Sequence, residues 1–189
     1  MGVSFLKANT DRIAHDYYAT PPRAVIEILK YESFSEKIWE PCCGGGHIAE
    51  TLKGFGFQVQ ATDLFNYGYG KSGIDFLKHK TLVDADIVTN PPYIQAELFI
   101  RQGISLLTAT HKLAMFLRLN FLETQNRRQL FEEYPPARIY VSSSRLGCAP
   151  NGNFKKRANG ELYYPSSVIY AWFIWEYGYI GTTSLHWFN

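Results

Sequence analysis

The hydrophobic run DADIVT passes straight into Asn90, Pro91, Pro92 and Tyr93. Two successive prolines remove two backbone donors and fix two φ angles, so the chain can neither continue as a sheet strand nor open a helix at Asn90. Such a corner holds whatever it carries rigidly. A second concentration of chemistry is WEPCCGGGH, residues 39–47, where Gly44, Gly45 and Gly46 allow positive φ and let the backbone approach a ligand closely. A third is a pair of acids, Asp63 and Asp75, the latter followed by Phe76.

The glycine turn differs from a dinucleotide turn. The third glycine of G-x-G-x-x-G is absent, and Glu40, just ahead of the turn, would repel a pyrophosphate. A carboxylate there suits a ligand carrying positive charge and hydroxyls. Asp63 lies 17 positions beyond Gly46, near the roughly 20-residue spacing at which an acid reaches a ribose. Glu40, Asp63 and the Asp75-Phe76 pair together suit the amino group, ribose and adenine of S-adenosylmethionine. Taken singly, Asp63 and Asp75 equally fit helix capping or turn formation. Three cysteines, two of them adjacent, make a poor disulfide framework and suit a reducing compartment. Cys42, Cys43 and His47 lack the spaced pairs of a zinc site, so no metal is expected.

The elements that must position these residues alternate. RAVIEILKY places Val25, Ile28 and Leu29 at helical spacing, with Thr20 as the expected N-cap and proline in the first turn. KIWE reads as a strand, HIAETLKGF as a helix after the glycine turn, and FQVQATD as the next strand, which makes a βαβ unit. The alternation continues with DADIVTN as strand, AELFIRQGISLL as helix, KLAMFLRL as buried strand, RRQLFEEY as helix, then ARIYVSS and the aromatic strand SVIYAWFIWEYGY. The predicted fold is a single α/β domain over residues 1–189. Its sheet is Rossmann-like, doubly wound and mostly parallel, with about seven strands, the last of them antiparallel. The longest irregular piece is expected at about 144–165.

With 46% hydrophobic and 19% charged residues over 189 positions, the composition is globular rather than disordered. No window reaches the roughly 18 uncharged apolar residues of a membrane span, since VIYAWFIWEYGYIG is cut by Glu176. MGVSFLKANTDR lacks the apolar segment of a secretory signal. A cytoplasmic protein, in a bacterial or phage-infected cell, is therefore expected, with no membrane partner, as a monomer or weak dimer. The net charge of +2 is small but unevenly spread. From Tyr134 to Gly160 there is no acid, while Arg138, Arg145, Lys155, Lys156 and Arg157 fall there, which predicts a local basic face.

In order along the chain, these residues resemble the class I S-adenosylmethionine-dependent adenine-N6 methyltransferases. DYYATPP (16–22) resembles the cofactor-clasping segment, with Tyr17, Thr20 and Pro21 its cofactor-facing residues. WEPCCGGGHI resembles the E-P-x-x-G-x-G turn, with Glu40, Pro41, Cys42, Gly44 and Gly46. ATDL resembles the ribose-binding strand end, Asp63 and Leu64, and DFL the adenine side, Asp75 and Phe76. TNPPY resembles the catalytic [DNS]-P-P-[YFW] tetrapeptide, Asn90 to Tyr93, with Asn90 also near the cofactor. The order clasp, glycine turn, tetrapeptide is that of gamma-type DNA enzymes and small phage and bacterial relatives. MFLRLNFLETQNRRQLFEEYPPARIYVSSSR resembles their later strands and SSVIYAWFIWEYGY their last hairpin. The chain departs from the pattern in Cys42-Cys43 and in having no separate target-recognition domain.

The resemblance implies methyl transfer to the N6 amino group of adenine in DNA, from S-adenosylmethionine, directly and in line to a flipped base. The Asn90 side-chain oxygen and the Pro91 carbonyl would accept the two amino N–H bonds, and Tyr93 would offer a face for the base. Arg145, Lys155, Lys156 and Arg157 are the expected phosphate contacts, in a 144–165 loop near the substrate. RNA adenine or protein glutamine are alternative acceptors that the same chemistry serves. A non-catalytic nucleic-acid-binding relative is the reading from another class.

Overall fold

The structure is a computed structural model that describes residues 14–188. The N-terminal segment read above for a secretory signal, residues 1–12, therefore lies outside the described residues. Seven strands form the central sheet: β1 (Lys37–Glu40), β2 (Gln58–Ala61), β3 (Asp86–Thr89), β4 (Lys112–Arg118), β5 (Arg138–Ser142), β6 (Tyr170–Glu176) and β7 (Ser184–Phe188). Their spatial order is β7-β5-β6-β4-β3-β1-β2. All neighbours pair parallel except around β6, which runs antiparallel to both β4 and β5. The aromatic run is thus the antiparallel strand, as expected, but it lies inside the sheet. β7 follows it in the chain and joins β5 in parallel at the edge.

The strands show why both faces are apolar. Ile38, Val88, Ala114, Phe116, Trp172 and Ile174 point into one core layer. Their chain neighbours Trp39, Ile87, Leu113, Met115, Phe173 and Trp175 point into the other. That is the period-two alternation of a strand, with hydrophobic residues at both phases because both faces are covered. Helices α1 (Pro22–Ile28) and α2 (His47–Gly54) cover the first face through Ala24, Val25, Ile28, Ile48 and Leu52. Helix α3 (Ala96–Leu106), with α4 (Arg128–Glu133), covers the second through Phe99, Ile100, Leu106 and Leu130. Gly103 lets α3 approach closely, since a Cβ there would meet the Leu113 side chain at 2.8 Å.

Two local readings are corrected. Thr20 does not cap α1: Pro21 is the N-cap, with no side-chain cap bond, and Pro22 takes the first helical position. The Thr20 hydroxyl is instead used by a distant amide, described below. The 144–165 segment is not wholly irregular, because Ala149–Pro150 pairs with Tyr18–Ala19 and Lys155–Lys156 with Leu162–Tyr163. Among the described residues, no helix is long and apolar enough to cross a membrane.

The strand order reverses between β1 and β3, where a doubly wound sheet opens a crevice beyond the carboxyl ends of its strands. Glu40, the Asp63 turn, Asn90 and Arg118 stand at the carboxyl ends of β1, β2, β3 and β4. The opposite ends carry a different cluster. Glu32 accepts from Arg138 (2.8 and 2.9 Å), Lys112 (2.7 Å) and the Tyr140 hydroxyl (2.9 Å), and Arg138 also pairs with Glu176. Arg138 therefore belongs to a structural ion network rather than to the basic face predicted for it.

Candidate functional site

A cavity of about 450 Å³ lies over this switch point. Tyr17, Thr20, Glu40, Pro41, Cys42, Asp63, Leu64, Asp75, Phe76, Asn90 and Pro92 all line it. The sequence places these residues in five separated stretches, and the fold brings them to one chamber. Pro21, Gly44, Gly46, Pro91 and Tyr93 sit next to lining residues without lining it themselves.

The glycine turn is as tight as its composition implies, with Gly44 at φ 50° and Gly46 at φ 83°. Its closest neighbours are aromatic side chains of the chain itself. A Cβ on Gly44 would meet the Tyr17 ring at 2.3 Å, and one on Gly46 the Tyr69 ring at 2.6 Å. The Tyr17 hydroxyl also accepts the Gly45 N–H at 2.8 Å. Asp63 ties the turn from the other side, accepting the Gly44 N–H (2.9 Å) and, in its own turn, the Phe65 N–H (2.9 Å). Asp63 thus forms a turn, one of the two uses read for it, and also lines the chamber. Asp75 likewise caps a short helix by accepting the Leu77 N–H at 3.0 Å while lining the chamber. Phe76 stacks on Phe99 with centroids 5.0 Å apart.

Glu40 is only 1% exposed, and its Oε2 has no hydrogen-bond partner. Burial, then the neighbouring charge of Asp63, pushes its carboxyl well above the ordinary carboxylate value despite a bond from the Ala49 backbone. Burial also raises Asp63. The cysteine thiols are raised too, Cys43 to about 12 and Cys42 well above its usual value, with burial the main cause of each. They are neutral, weakly nucleophilic groups. Among the described residues, no cluster of three His, Cys, Asp or Glu side chains could hold a metal ion.

At the corner, the Asn90 amide is locked. Its Nδ2 donates to the Tyr18 carbonyl at 2.8 Å and to the Thr20 hydroxyl at 3.0 Å, with the Cys148 sulfur at 3.6 Å. A backbone carbonyl can only accept, so the NH2 must face Tyr18 and the oxygen must face the other way. That oxygen, Oδ1, is buried and has no partner. Asp16 completes the corner by accepting the Tyr93 N–H at 2.8 Å. The 16–20 segment therefore grips both the glycine turn and the tetrapeptide.

Tyr93 is less open than expected. The Arg118 guanidinium lies 4.4 Å from its ring centroid, and its buried phenol has a raised pKa because of desolvation. Of the basic residues, Lys155 and Lys156 are exposed. Arg145 donates to the Ser167 carbonyl at 2.7 Å, and Arg157 pairs with Glu161 at 3.4 Å. Phe154, next to Lys155, packs on the chamber residue His47 with ring centroids 5.0 Å apart. Asp16, Tyr18 and Arg118 were missed from sequence. Only Asp16 and Tyr18 carried a signal, through their place in DYYATPP.

No protein-family model and no curated protein sequence matches the chain. Solved structures do. A protein from Listeria monocytogenes assigned to the class I S-adenosylmethionine-dependent methyltransferases superposes with a TM-score of 0.58 at 13% identity, over 96% of this chain and 69% of its own. A Pyrococcus horikoshii protein assigned as an RNA methyltransferase gives 0.58 at 11%, over 93% of each chain. A predicted O-methyltransferase from Agrobacterium tumefaciens gives 0.58 at 10%, over 88% and 85%. The chain shares the fold of these methyltransferase structures. At these identities the likeness is one of architecture, and in this methyltransferase fold the chamber occupies the switch point that any ligand of a doubly wound sheet would use.

Proposed function

We propose that the chain transfers a methyl group from S-adenosylmethionine to the N6 amino group of adenine in DNA. The observation that carries this is the buried, partnerless Oδ1 of Asn90, whose amide orientation is dictated by Tyr18 and Thr20. Burying an acceptor without a partner costs about 1–3 kcal/mol. Such a cost is tolerated where a ligand N–H completes the bond.

The cofactor fits the residues present. Glu40 carries a second orphaned oxygen beside the glycine turn, the place for a cationic amino group. Asp63 keeps lone pairs for ribose hydroxyls, and Phe76 and Asp75 line the side for adenine. When bound, S-adenosylmethionine supplies a methyl group already activated by its sulfonium, so neither a metal nor a covalent enzyme intermediate is needed.

The acceptor amine is a weak nucleophile because its lone pair is delocalised into the ring. Asn90 Oδ1, with the Pro91 carbonyl, accepts its N–H bonds and favours a pyramidal nitrogen. Each such bond is worth only about 0.5–1.5 kcal/mol net. Positioning carries more, about 7–11 kcal/mol through proximity and orientation, and the clasp around the corner supplies that rigidity. A duplex adenine must leave its stack, at a cost of a few kcal/mol, which phosphate contacts from Lys155 and Lys156 would help offset.

The test offers labelled cofactor to duplex DNA, structured RNA and protein in parallel, followed by digestion of the labelled product. N6-methyladenine in DNA is the expected result. Label found only in RNA or on protein glutamine would overturn the choice of substrate.

A further inference from the structure

Arg118 closes β4, in register opposite Tyr170 and one strand from the Asn90 corner. Its guanidinium carbon lies 4.4 Å from the Tyr93 ring centroid and 5.5 Å from that of Tyr18, the residue whose carbonyl fixes the Asn90 amide. The side chain is half-buried, and its Nε is shielded from solvent with no hydrogen-bond partner. Every other described arginine donates to, or is ion-paired with, a carboxylate or donates to a backbone carbonyl. Among the described residues, Arg118 has no carboxylate at ion-pair distance. Attraction to the two rings and a hydrogen bond with the Tyr170 hydroxyl hold the cation at the corner, yet its Nε donor stays unspent and its charge meets no carboxylate.

A planar cation with no carboxylate partner and a donor left over takes an oxyanion, and phosphate matches its fork. The cofactor chamber is lined by Glu40, Asp63 and Asp75 and does not include Arg118, so the anion belongs to the second substrate. We propose that Arg118 is a phosphate subsite. It binds the backbone phosphate beside the nucleotide whose base enters the Asn90–Tyr93 corner. This rests on the nucleic-acid reading above and deepens it. The role differs from that of Lys155 and Lys156, which stand exposed on a hairpin, whereas Arg118 touches the ring of the tetrapeptide itself.

The experiment measures methylation of unmethylated genomic duplex DNA over a series of salt concentrations, for the wild type, Arg118→Ala and Arg118→Lys. Cofactor affinity and thermal melting are recorded for each to confirm folding. Arg118→Ala should bind cofactor normally and raise the KM for DNA about tenfold, the loss of one charged hydrogen-bonding contact. The log–log salt slope of kcat/KM should become shallower by about 0.9, the share of one phosphate. Arg118→Lys should restore the slope but only part of the KM, because a point charge replaces a bidentate fork. An unchanged slope in a folded, cofactor-binding Arg118→Ala would overturn the proposal. So would a fall in kcat alone, which would mean that Arg118 merely props Tyr93. If the wild type binds cofactor but leaves DNA unmethylated, the substrate reading fails first, and the phosphate subsite falls with it.

Discussion

Asn90 divides its amide: the nitrogen is spent on Tyr18 and Thr20, and the buried oxygen, left without a partner, is the one proposed to meet the substrate. Asn90→Ala should therefore retain cofactor binding while methyl transfer drops by about 10²-fold or more, the scale of losing one positioned hydrogen-bonding group at a reacting centre. Single-turnover rates check this, and near-normal turnover would remove Asn90 from the chemistry. Glu40 makes a prediction with a definite sign. Burial and Asp63 hold its carboxyl above the ordinary value, so it is protonated over a wider pH range in the free protein. An ammonium group beside it favours the ionised form, so cofactor binding should release a proton. Affinity should then climb as pH rises from the ordinary carboxylate value of about 4.3 through the raised one, and level off above it. Calorimetry in buffers of different ionisation enthalpy detects the proton, and Glu40→Gln should abolish its release. A wild-type affinity that is flat with pH would show that no cation sits there.

The clasp, residues 16–20, and the glycine turn act as one unit, because Tyr17 fills the space that a side chain at Gly44 would need. Gly44→Ala carries two penalties, a positive φ of 50° and a contact of 2.3 Å to the Tyr17 ring. In a Tyr17→Ala background only the first remains, of order 1–3 kcal/mol. A double-mutant cycle by urea denaturation should thus show coupling, with Gly44→Ala costing less when Tyr17 is absent. Strict additivity would mean that the clasp does not rest on the turn. This unit also marks the limit of what the sequence made legible. The corner at Asn90 and the turn at Gly44–Gly46 could be read because proline and glycine restrict or free the backbone locally, whatever surrounds them. The bonds that join them could not, since Asp16 meets Tyr93 across 77 positions and Thr20 meets Asn90 across 70. Thr20 had a local use as a cap, and a long-range partner took it instead. β7 escaped notice for a different reason. Four of its five residues are exposed, so no buried alternation marks it as a strand. Arg118 closed a strand that read correctly, but nothing in FLRL distinguishes an arginine over two tyrosines from one paired to an acid.

Across the whole molecule the sheet separates two clusters, with the chamber at the carboxyl ends of its parallel strands and an ion network at the other. On the proposed function, that division should let stability and activity change independently. Glu32 is buried, and although desolvation pushes its carboxyl up, hydrogen bonds from Arg138 and Lys112 bring it below the ordinary value. A lowered folded-state pKa contributes stability that is present above the unfolded value, about 4.3, and is lost as pH falls through the folded one. Glu40 acts oppositely, since its raised pKa gives up stability as pH rises. Acid unfolding should therefore be governed by Glu32 rather than by the chamber. Glu32→Ala leaves Arg138 and Lys112 facing an empty place, and breaking a buried pair costs about 3–5 kcal/mol. At roughly 2–4 °C per kcal/mol for a chain of this size, Tm should fall by roughly 6–20 °C. Below its melting point the variant should bind cofactor as the wild type does, because nothing in the network touches the chamber, and its stability should lose most of its dependence on pH below about 4. Titrating Tm against pH for both proteins measures this directly. An acid limb equally steep in the variant would place the responsible carboxylate elsewhere, and a loss of cofactor affinity well below Tm would show that the two ends of the sheet are coupled after all.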